Sequence, residues 1–448
     1  MTIIYGILGL GLLVFVHELG HFILAKIHGV TVESFSLGMG PVLIHKQIGD
    51  TDYRLSLIPL GGYCGLKGQK DIDLTPDKTQ EIADKDSFAG ISPLKRISIA
   101  FAGPFFNLLF AFIAFTVIAI LGTSFYTTSN KIILVSDIDS SFVSSAKESG
   151  LQTGDIITEI NGKKIGNFSD LYEIVSLNPE KEMTVRYQRG NTSQTTVIKP
   201  TLDKATGMGK IGVYSWVNPT INGIEKNSFA EKLNLQVGDT ITYINNNPIF
   251  NTIELQKAFE DTVDTALITL QRDTQSFTIQ LPKESLNIQQ WGIQFPYEKI
   301  EQKTSNVFKA IKSGFLETIN MINLSIKSFA LLFKGIDLTN AVSGPLRITS
   351  MLGETAKTGF SVDFKTGIVT ILQFLSLISI SLCIMNLLPI PILDGGLILF
   401  AFIEFIFKKP LSQKAQIIIQ YIGLAIIAFL VIFAFTNDFN YFIQQTRK

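Results

Sequence analysis

Residues 1–25, MTIIYGILGLGLLVFVHELGHFILA, carry a single formal charge in an apolar stretch long enough to cross a bilayer. That charge is Glu18, and it lies within His17-Glu18-Leu19-Gly20-His21, an H-E-x-x-H pattern. On a helix, residues i and i+4 share a face, so His17 and His21 can turn their imidazoles toward one metal ion. Glu18 lies about 100° around the helix from His17. From there it can reach a water on that metal without ligating it. An ionisable side chain in such a stretch is costly, which makes it a functional candidate. A cleaved signal peptide is the competing reading. No Lys or Arg precedes the apolar core, however, and no small-residue cleavage pattern precedes the His-Glu pair.

Of 448 residues, 46% are hydrophobic and 17% charged, so the chain is more apolar than a soluble protein needs and long enough for several domains. Basic and acidic residues balance at 38 each, so neither nucleic acid nor an acidic partner is indicated. Cys64 and Cys383, both in apolar settings, read as unpaired packing residues. Apart from Glu18 and Asp394, four segments lack formal charge over a membrane-spanning length: 1–25, 97–130, 366–403 and 415–437. Lys26, Lys95 and Arg96 flank the loop after the first, while Lys408, Lys409 and Lys414 flank the turn between the last two. The positive-inside rule places both loops in the cytoplasm and residues 131–365, with both ends, outside it. Arg447 and Lys448 are a mild counter-signal.

The region between the second and third segments repeats itself. Leu151-Gln152-Thr153-Gly154-Asp155 returns as Leu235-Gln236-Val237-Gly238-Asp239, within a shared L-Q-x-G-D-x-I-x-x-I-N pattern offset by 84 residues. That offset predicts two small domains and not a solenoid. Each Gly-Asp turn leads into an alternating strand and then an Asn-Gly or Asn-Asn turn. A short helix follows (168–177 and 252–260), then a further strand (183–188 and 266–271). Beyond them, 305–334 has helical apolar spacing interrupted by lysines 309, 312, 327 and 334. It is too charged to span and amphipathic enough to lie on a membrane surface or to pack on its own domains.

Two histidines do not complete a catalytic zinc site, which usually takes three protein ligands and leaves a position for water. His28 and His45 read as solvated loop residues. Asp394 is the better third ligand, because it is the only formal charge between Lys365 and Glu404. It ends Asn386-Leu387-Leu388-Pro389-Ile390-Pro391-Ile392-Leu393-Asp394-Gly395-Gly396, where two prolines and two glycines predict a broken helix. Backbone freed by such a break must be buried in protein or line a wet cavity. A helix-ending Asp-Gly turn at the interface is the alternative.

H-E-x-x-H in the first apolar segment with N-x-x-P-x-P-x-L-D-G-G in the third resembles the site-2 protease family of intramembrane zinc metalloproteases. The repeated insert resembles tandem PDZ domains, as in the bacterial sigma-E-regulating branch. The resemblance covers essentially the whole chain. It implies a polytopic α-helical membrane protein with four transmembrane helices and a membrane-associated β-hairpin loop. Two extracytoplasmic PDZ-like α+β domains would then be inserted between helices 2 and 3. The corresponding domains are 1–126 (first catalytic half), 127–215 and 216–300 (PDZ-like), 301–345 (interfacial helix) and 346–448 (second catalytic half). Matched position by position, His17, His21 and Asp394 correspond to the Zn2+ ligands and Glu18 to the catalytic base. Asn386, Pro389 and Pro391, with Gly61 and Gly62 of a strand-like loop, correspond to substrate-binding positions. Gly103-Pro104-Phe105-Phe106-Asn107 resembles another family signature, and its plain reading is a proline kink with a satisfied asparagine. Ser343-Gly344-Pro345 reads as a turn.

The implied activity is hydrolysis of a peptide bond within or near the transmembrane segment of a single-span membrane protein in the lipid bilayer. Implied substrates are an anti-sigma factor or signal peptide remnants. The implied location is the bacterial inner membrane, with the active site toward the cytoplasm. PDZ-like domains outside it would filter substrates by size or bind peptide C-termini. A membrane-anchored peptide-binding scaffold with an inactive core, and a zinc transporter, are the rival readings. The scaffold gives no reason to keep Glu18, and a transporter would spread its ligands along a path.

Overall fold

A computed structural model describes residues 2–69, 84–142, 144–332 and 343–446. Along the chain, α1 (Thr2–Ile27) is followed by β1 (Val32–Ile48), β2 (Thr51–Leu66) and α2 (Pro93–Leu121). The first repeat domain contains β3 (Thr123–Thr127), β4 (Ile132–Leu134), β5 (Ile156–Ile160), β6 (Lys163–Lys164), α3 (Phe168–Ser176), β7 (Met183–Arg189), β8 (Thr192–Ile198) and β9 (Val213–Ser215). The second contains β10 (Gly223–Ile224), β11 (Thr240–Ile244), β12 (Asn247–Pro248), α4 (Thr252–Asp261), β13 (Thr265–Arg272), β14 (Gln275–Pro282), β15 (Ile293–Gln294) and β16 (Glu298–Gln302). Then come α5 (Val307–Leu332), α6 (Pro345–Val362), α7 (Phe364–Asn386), α8 (Asp394–Phe407) and α9 (Gln413–Thr446). Two compact units result, one made of 1–123 with 302–448, the other of 124–301.

In the first unit, α1, α2, α7 and α9 are long and apolar enough to cross a membrane. The third apolar segment of the sequence is two helices. α7 has spanning length, and α8, at 14 residues, does not. Pro389 and Pro391 lie in the break between them, as the sequence predicts. The helices approach closely through glycines. A Cβ on Gly20 would collide with the Ala102 carbonyl, and one on Gly103 with the rings of His21 and His17. Without a hydrophobic drive in lipid, such small-residue contacts bring backbones together.

α5 also follows this rule. It buries Ala310, Gly314 and Thr318 and exposes Phe308, Ile311, Phe315 and Leu316. A Cβ on Gly314 would strike Thr116 of α2. The lysine-bearing helix therefore rests on α2 with small residues and turns its large apolar side chains outward. Residues 333–342, which include the end of the expected 305–334 helix, lie outside the described residues.

β1 and β2 pair antiparallel, but their register doubles back. Phe35 faces both Cys64 and Tyr53, and Leu37 faces both Gly62 and Leu55, while His45 faces Arg54 further along. Each long strand is bent, at Gly38 (φ +89°) and at Gly61 (φ +142°), so that two strands fold into four short ribbons. Met39, Leu43, Ile44, Leu57 and Ile58 are exposed on it. An ordinary soluble hairpin does not present such a row.

The second unit is built twice from one plan. The sheets run β6-β5-β7-β8 and β12-β11-β13-β14, each over its own apolar core. The Gly-Asp repeat is structural. Asp155 accepts from Gln152 N–H (2.8 Å) and from Arg189 Nε and Nη2 (2.8 and 2.7 Å). Asp239 likewise accepts from Gln236 N–H (2.8 Å) and from Arg272 Nε and Nη2 (2.6 and 2.8 Å). Each arginine also donates to a carbonyl, Gly150 or Asn234, at the end of a short helical turn. Both aspartates are buried, so the two arginines are their charge partners.

Candidate metal centre

His17 and His21 share one face of α1, and the helix break delivers Asp394 to them as the first residue of α8. The Nε2 atoms of His17 and His21 lie 3.3 Å apart. Asp394 Oδ2 lies 3.1 Å from His17 Nε2, and Oδ1 lies 3.4 Å from His21 Nε2. Zinc bonds of about 2.0–2.1 Å to nitrogen and oxygen, set tetrahedrally, separate neighbouring ligand atoms by about 3.3–3.4 Å. The histidine pair matches that edge, and Asp394 approaches the two rings through its two different oxygens, at 3.1 and 3.4 Å. Among the described residues, buried Asp394 Oδ2 has no hydrogen-bond partner, because its contact with His17 has the length but not the direction of a bond. Two imidazole nitrogens and a carboxylate with an unpartnered oxygen are a donor set that suits zinc.

The other ring nitrogens are held. His21 Nδ1–H donates to the Ile99 carbonyl (2.8 Å), which leaves Nε2 as the free lone pair. His17 Nδ1 lies 3.1 Å from the side-chain amide of Asn107, a fully buried residue of α2. Ligation through His17 Nε2 puts the proton on Nδ1, and Asn107 then presents Oδ1 to accept it. Ser379 of α7 donates to the Asn107 carbonyl (2.8 Å) and fixes α7 at the same level. Arg96 near the start of α2 bonds Glu404 of α8 at 2.6 Å, tying the Asp394 helix to the helix that carries Ile99 and Asn107.

Glu18 is not part of the triad. Its carboxyl faces the backbone N–H of Cys64 in β2. A Cβ on Gly62 would lie 3.4 Å from Glu18 Cγ and against the Ser36 carbonyl, so β2 passes directly beside this side chain. Gly61 packs on Met39 in the same way. Asn386 is the last residue of α7, Pro389 is exposed in the break, and Pro391 packs against Gly423 of α9. Gly395 and Gly396 leave no room for a Cβ beside the Leu388 and Ile390 carbonyls. Ile392, two residues before Asp394, has φ +87°, a conformation that is rare and strained for a β-branched residue.

His28 bonds Ser98 (2.7 Å) and His45 bonds Asp52 (3.1 Å), so neither joins the cluster. Cys64 and Cys383 are unpaired. The sequence reading names Gly103 and Asn107 within a family signature but gives them no role at the site, although a signal for one was present. A glycine and an asparagine at i and i+4, inside an apolar helix, face the level of the histidine pair.

Residues 5–430 match Peptidase family M50. The chain belongs to that family. It is 36% identical over 446 residues to a candidate zinc metalloprotease of Treponema pallidum (strain Nichols), covering 98% of this chain and 99% of the relative. A candidate zinc metalloprotease of Borreliella burgdorferi is 34% identical over 420 residues, 92% of each chain. The regulator of sigma-E protease RseP of Escherichia coli (strain K12) is 28% identical over 458 residues, 97% of each.

Proposed function

We propose that this M50 peptidase is a zinc-dependent endopeptidase of the bacterial inner membrane. It would cleave single-span membrane proteins within or near their membrane segment. The observation that carries this reading is the cluster of His17, His21 and Asp394, whose ligand atoms lie close enough to hold one metal ion, with Glu18 the next residue along α1 from His17. A bound zinc ion would polarise the scissile carbonyl and acidify a water at the site. Glu18 would take the proton of the attacking water on its carboxylate and return it to the leaving amine nitrogen. Asn107 and the Ile99 carbonyl keep both Nδ1 protons in place. Gly62 lets β2 pass close beside Glu18. Gly61, Asn386, Pro389 and Pro391 complete the proposed channel, and the exposed apolar face of β1 and β2 suits burial in lipid.

The substrate class follows from the resemblance to sigma-E-regulating proteases. It is an anti-sigma factor or a signal peptide remnant whose bulky outer part has already been removed. The repeat domains, read as PDZ-like and periplasmic, would exclude intact substrates by size or hold peptide ends. Purified protein in detergent, given a single-span model substrate, is expected to cleave it and to stop when a zinc chelator is added. In Glu18→Gln, cleavage should fall by at least about 10²-fold with one zinc per chain retained. Unchanged cleavage in this variant would remove Glu18 from the mechanism.

A further inference from the structure

One stripe of α1 runs through Phe15, Leu19, Phe22 and Lys26, whose spacing puts all of them on one face of the helix. The bent sheet lies against its apolar part. The rings of Phe15 and Phe22 meet Phe35 of β1 at 6.0 and 5.2 Å, and Phe22 meets Tyr53 of β2 at 6.1 Å. A cavity of about 280 Å³ remains between helix and sheet, bounded also by Leu37 and Arg54 and lined almost wholly by apolar atoms. Phe15, Leu19, Phe22 and Tyr53 are only half-buried, so the cavity opens outward. Because α1 has the length and composition to cross a membrane, it opens to lipid.

Positive charge gathers at one end of this cavity. Lys26 Nζ lies 5.8 Å from the centroid of the Phe22 ring. Lys46 stands opposite Tyr53 in the β1–β2 ladder, as Phe35 does on the other side, so all three side chains share a face of the sheet. The two lysines therefore flank one aromatic pair, Phe22 and Tyr53. Phe15 lies about 10 Å further along α1, away from both. Arg54 on the rim is already matched by Asp52 (2.7 Å), which His45 also contacts (3.1 Å). Lys26 and Lys46 are exposed and have no ion-pair partner among the described residues. Glu33, exposed at the start of β1, offsets one of these two charges and leaves the other in excess.

We infer that this cavity is a phospholipid site. It takes one acyl chain of an anionic phospholipid from the leaflet at the Lys26 end of α1, and Lys26 and Lys46 hold the lipid phosphate. An acyl chain has no polar group to leave unpaired in a cavity that offers no partner. Moving it there from surrounding lipid changes its environment little, so selection falls to the head group. Lysines on flexible stems reach a phosphate at the interface, and a choline head group would bring its own cation into competition with them. Glu18 follows Phe15 by three residues and precedes Phe22 by four, and its carboxyl faces the Cys64 N–H of β2. A seated chain thus braces the sheet against the turn of α1 that carries Glu18. The inference rests on α1 lying in a membrane and not on the hydrolytic reading.

The test is competitive lipid retention by the full chain. Protein stripped of lipid in a neutral detergent is incubated with equimolar phosphatidylglycerol and phosphatidylcholine of identical acyl chains, and native mass spectrometry counts what stays bound. Retention of a single lipid is expected, with phosphatidylglycerol favoured at least about tenfold. Lys26→Gln combined with Lys46→Gln, both at exposed positions, should bring that preference below about threefold. Lys408→Gln combined with Lys409→Gln, at the end of α8, should leave it intact, which separates a site from the general attraction of lysines to anionic lipid. Leu37→Trp, which fills the cavity with an indole, should abolish retention of both lipids. Equal retention of the two lipids by wild type, loss of preference through the Lys408 and Lys409 pair instead, or full retention in Leu37→Trp would each overturn the proposal. So would displacement of the lipid by an equimolar single-span model peptide, which would make the cavity part of a substrate path. A failed peptidase reading would appear elsewhere, as unchanged cleavage in Glu18→Gln.

Discussion

Asn107 illustrates how far a motif reading reaches and where it stops. H-E-x-x-H suggests two ligands and a base, the roles proposed above for His17, His21 and Glu18, because their helical spacing is a local property of the sequence. Asp394 was legible because a lone carboxylate in an apolar run beside two prolines needs a reason to be there. Asn107 lies 90 residues from His17 and takes its role from a side-chain contact, which no spacing rule encodes. Ligating histidines depend on the group that holds the second ring nitrogen, and losing it usually costs about 10–100-fold in metal affinity. Asn107→Ala is therefore expected to weaken zinc binding by about that factor, read by competition with a chelator of known affinity. Asn107→Asp should restore most of it, since a carboxylate also accepts from His17 Nδ1–H. Equal zinc affinity in wild type and Asn107→Ala would sink the assignment.

Among whole elements, the spanning helices were legible from apolar length, and the break before α8 from its prolines and glycines. α6 was not. It is an 18-residue helix that buries Thr349, Leu352, Gly353, Ala356 and Gly359, and small residues leave a weak apolar signature. Its cap is also remote. Gly344, Leu346 and Arg347 donate their N–H groups to the carboxylate of Asp438 on α9 at 2.8, 3.0 and 3.1 Å. A buried carboxylate at a helix N-terminus satisfies orphan donors and complements the dipole, so the Ser343-Gly344-Pro345 turn is an anchoring point. Asp438→Ala should cost about 2 kcal/mol, since three helix N-terminal donors, the Gly344 one buried, lose their acceptor at once. The expected readout is faster cleavage by added trypsin near Arg347, with Asp438→Asn intermediate. The contact of α1 with α2 is less forgiving. Gly103→Ala sets a methyl group against both imidazoles, an overpacking that costs about 1–3 kcal/mol. Its main effect should be lost zinc, measured by elemental analysis, in a protein that still folds.

At the scale of the molecule, the repeat predicted two inserted domains, and the boundaries of the 124–301 unit explain why it could be read. β3 and β16, where the chain enters and leaves that unit, pair with each other, so the insertion starts and ends at adjacent points. Such a unit keeps its own core and its own sequence pattern. Separate cores also imply separate sensitivities: metal removal should act on the first unit and acid on the second. In the second repeat domain, burial on its own would raise the Asp239 carboxyl. Arg272 and the Gln236 N–H outweigh burial and hold it below the ordinary carboxylate range. A depressed folded-state value means that the stabilisation is fully present above the unfolded value of about 3.9 and is lost as pH falls through the folded value below it. Asp239→Asn should therefore destabilise this domain by about 2–3 kcal/mol at neutral pH. The gap between variant and wild type should close as pH drops below about 4. Hydrogen exchange of the β11 and β13 amides in the full-length protein, from pH 7 downward, measures it. A gap that stays constant through that range would mean that the Asp239–Arg272 pair is not what links this domain to pH.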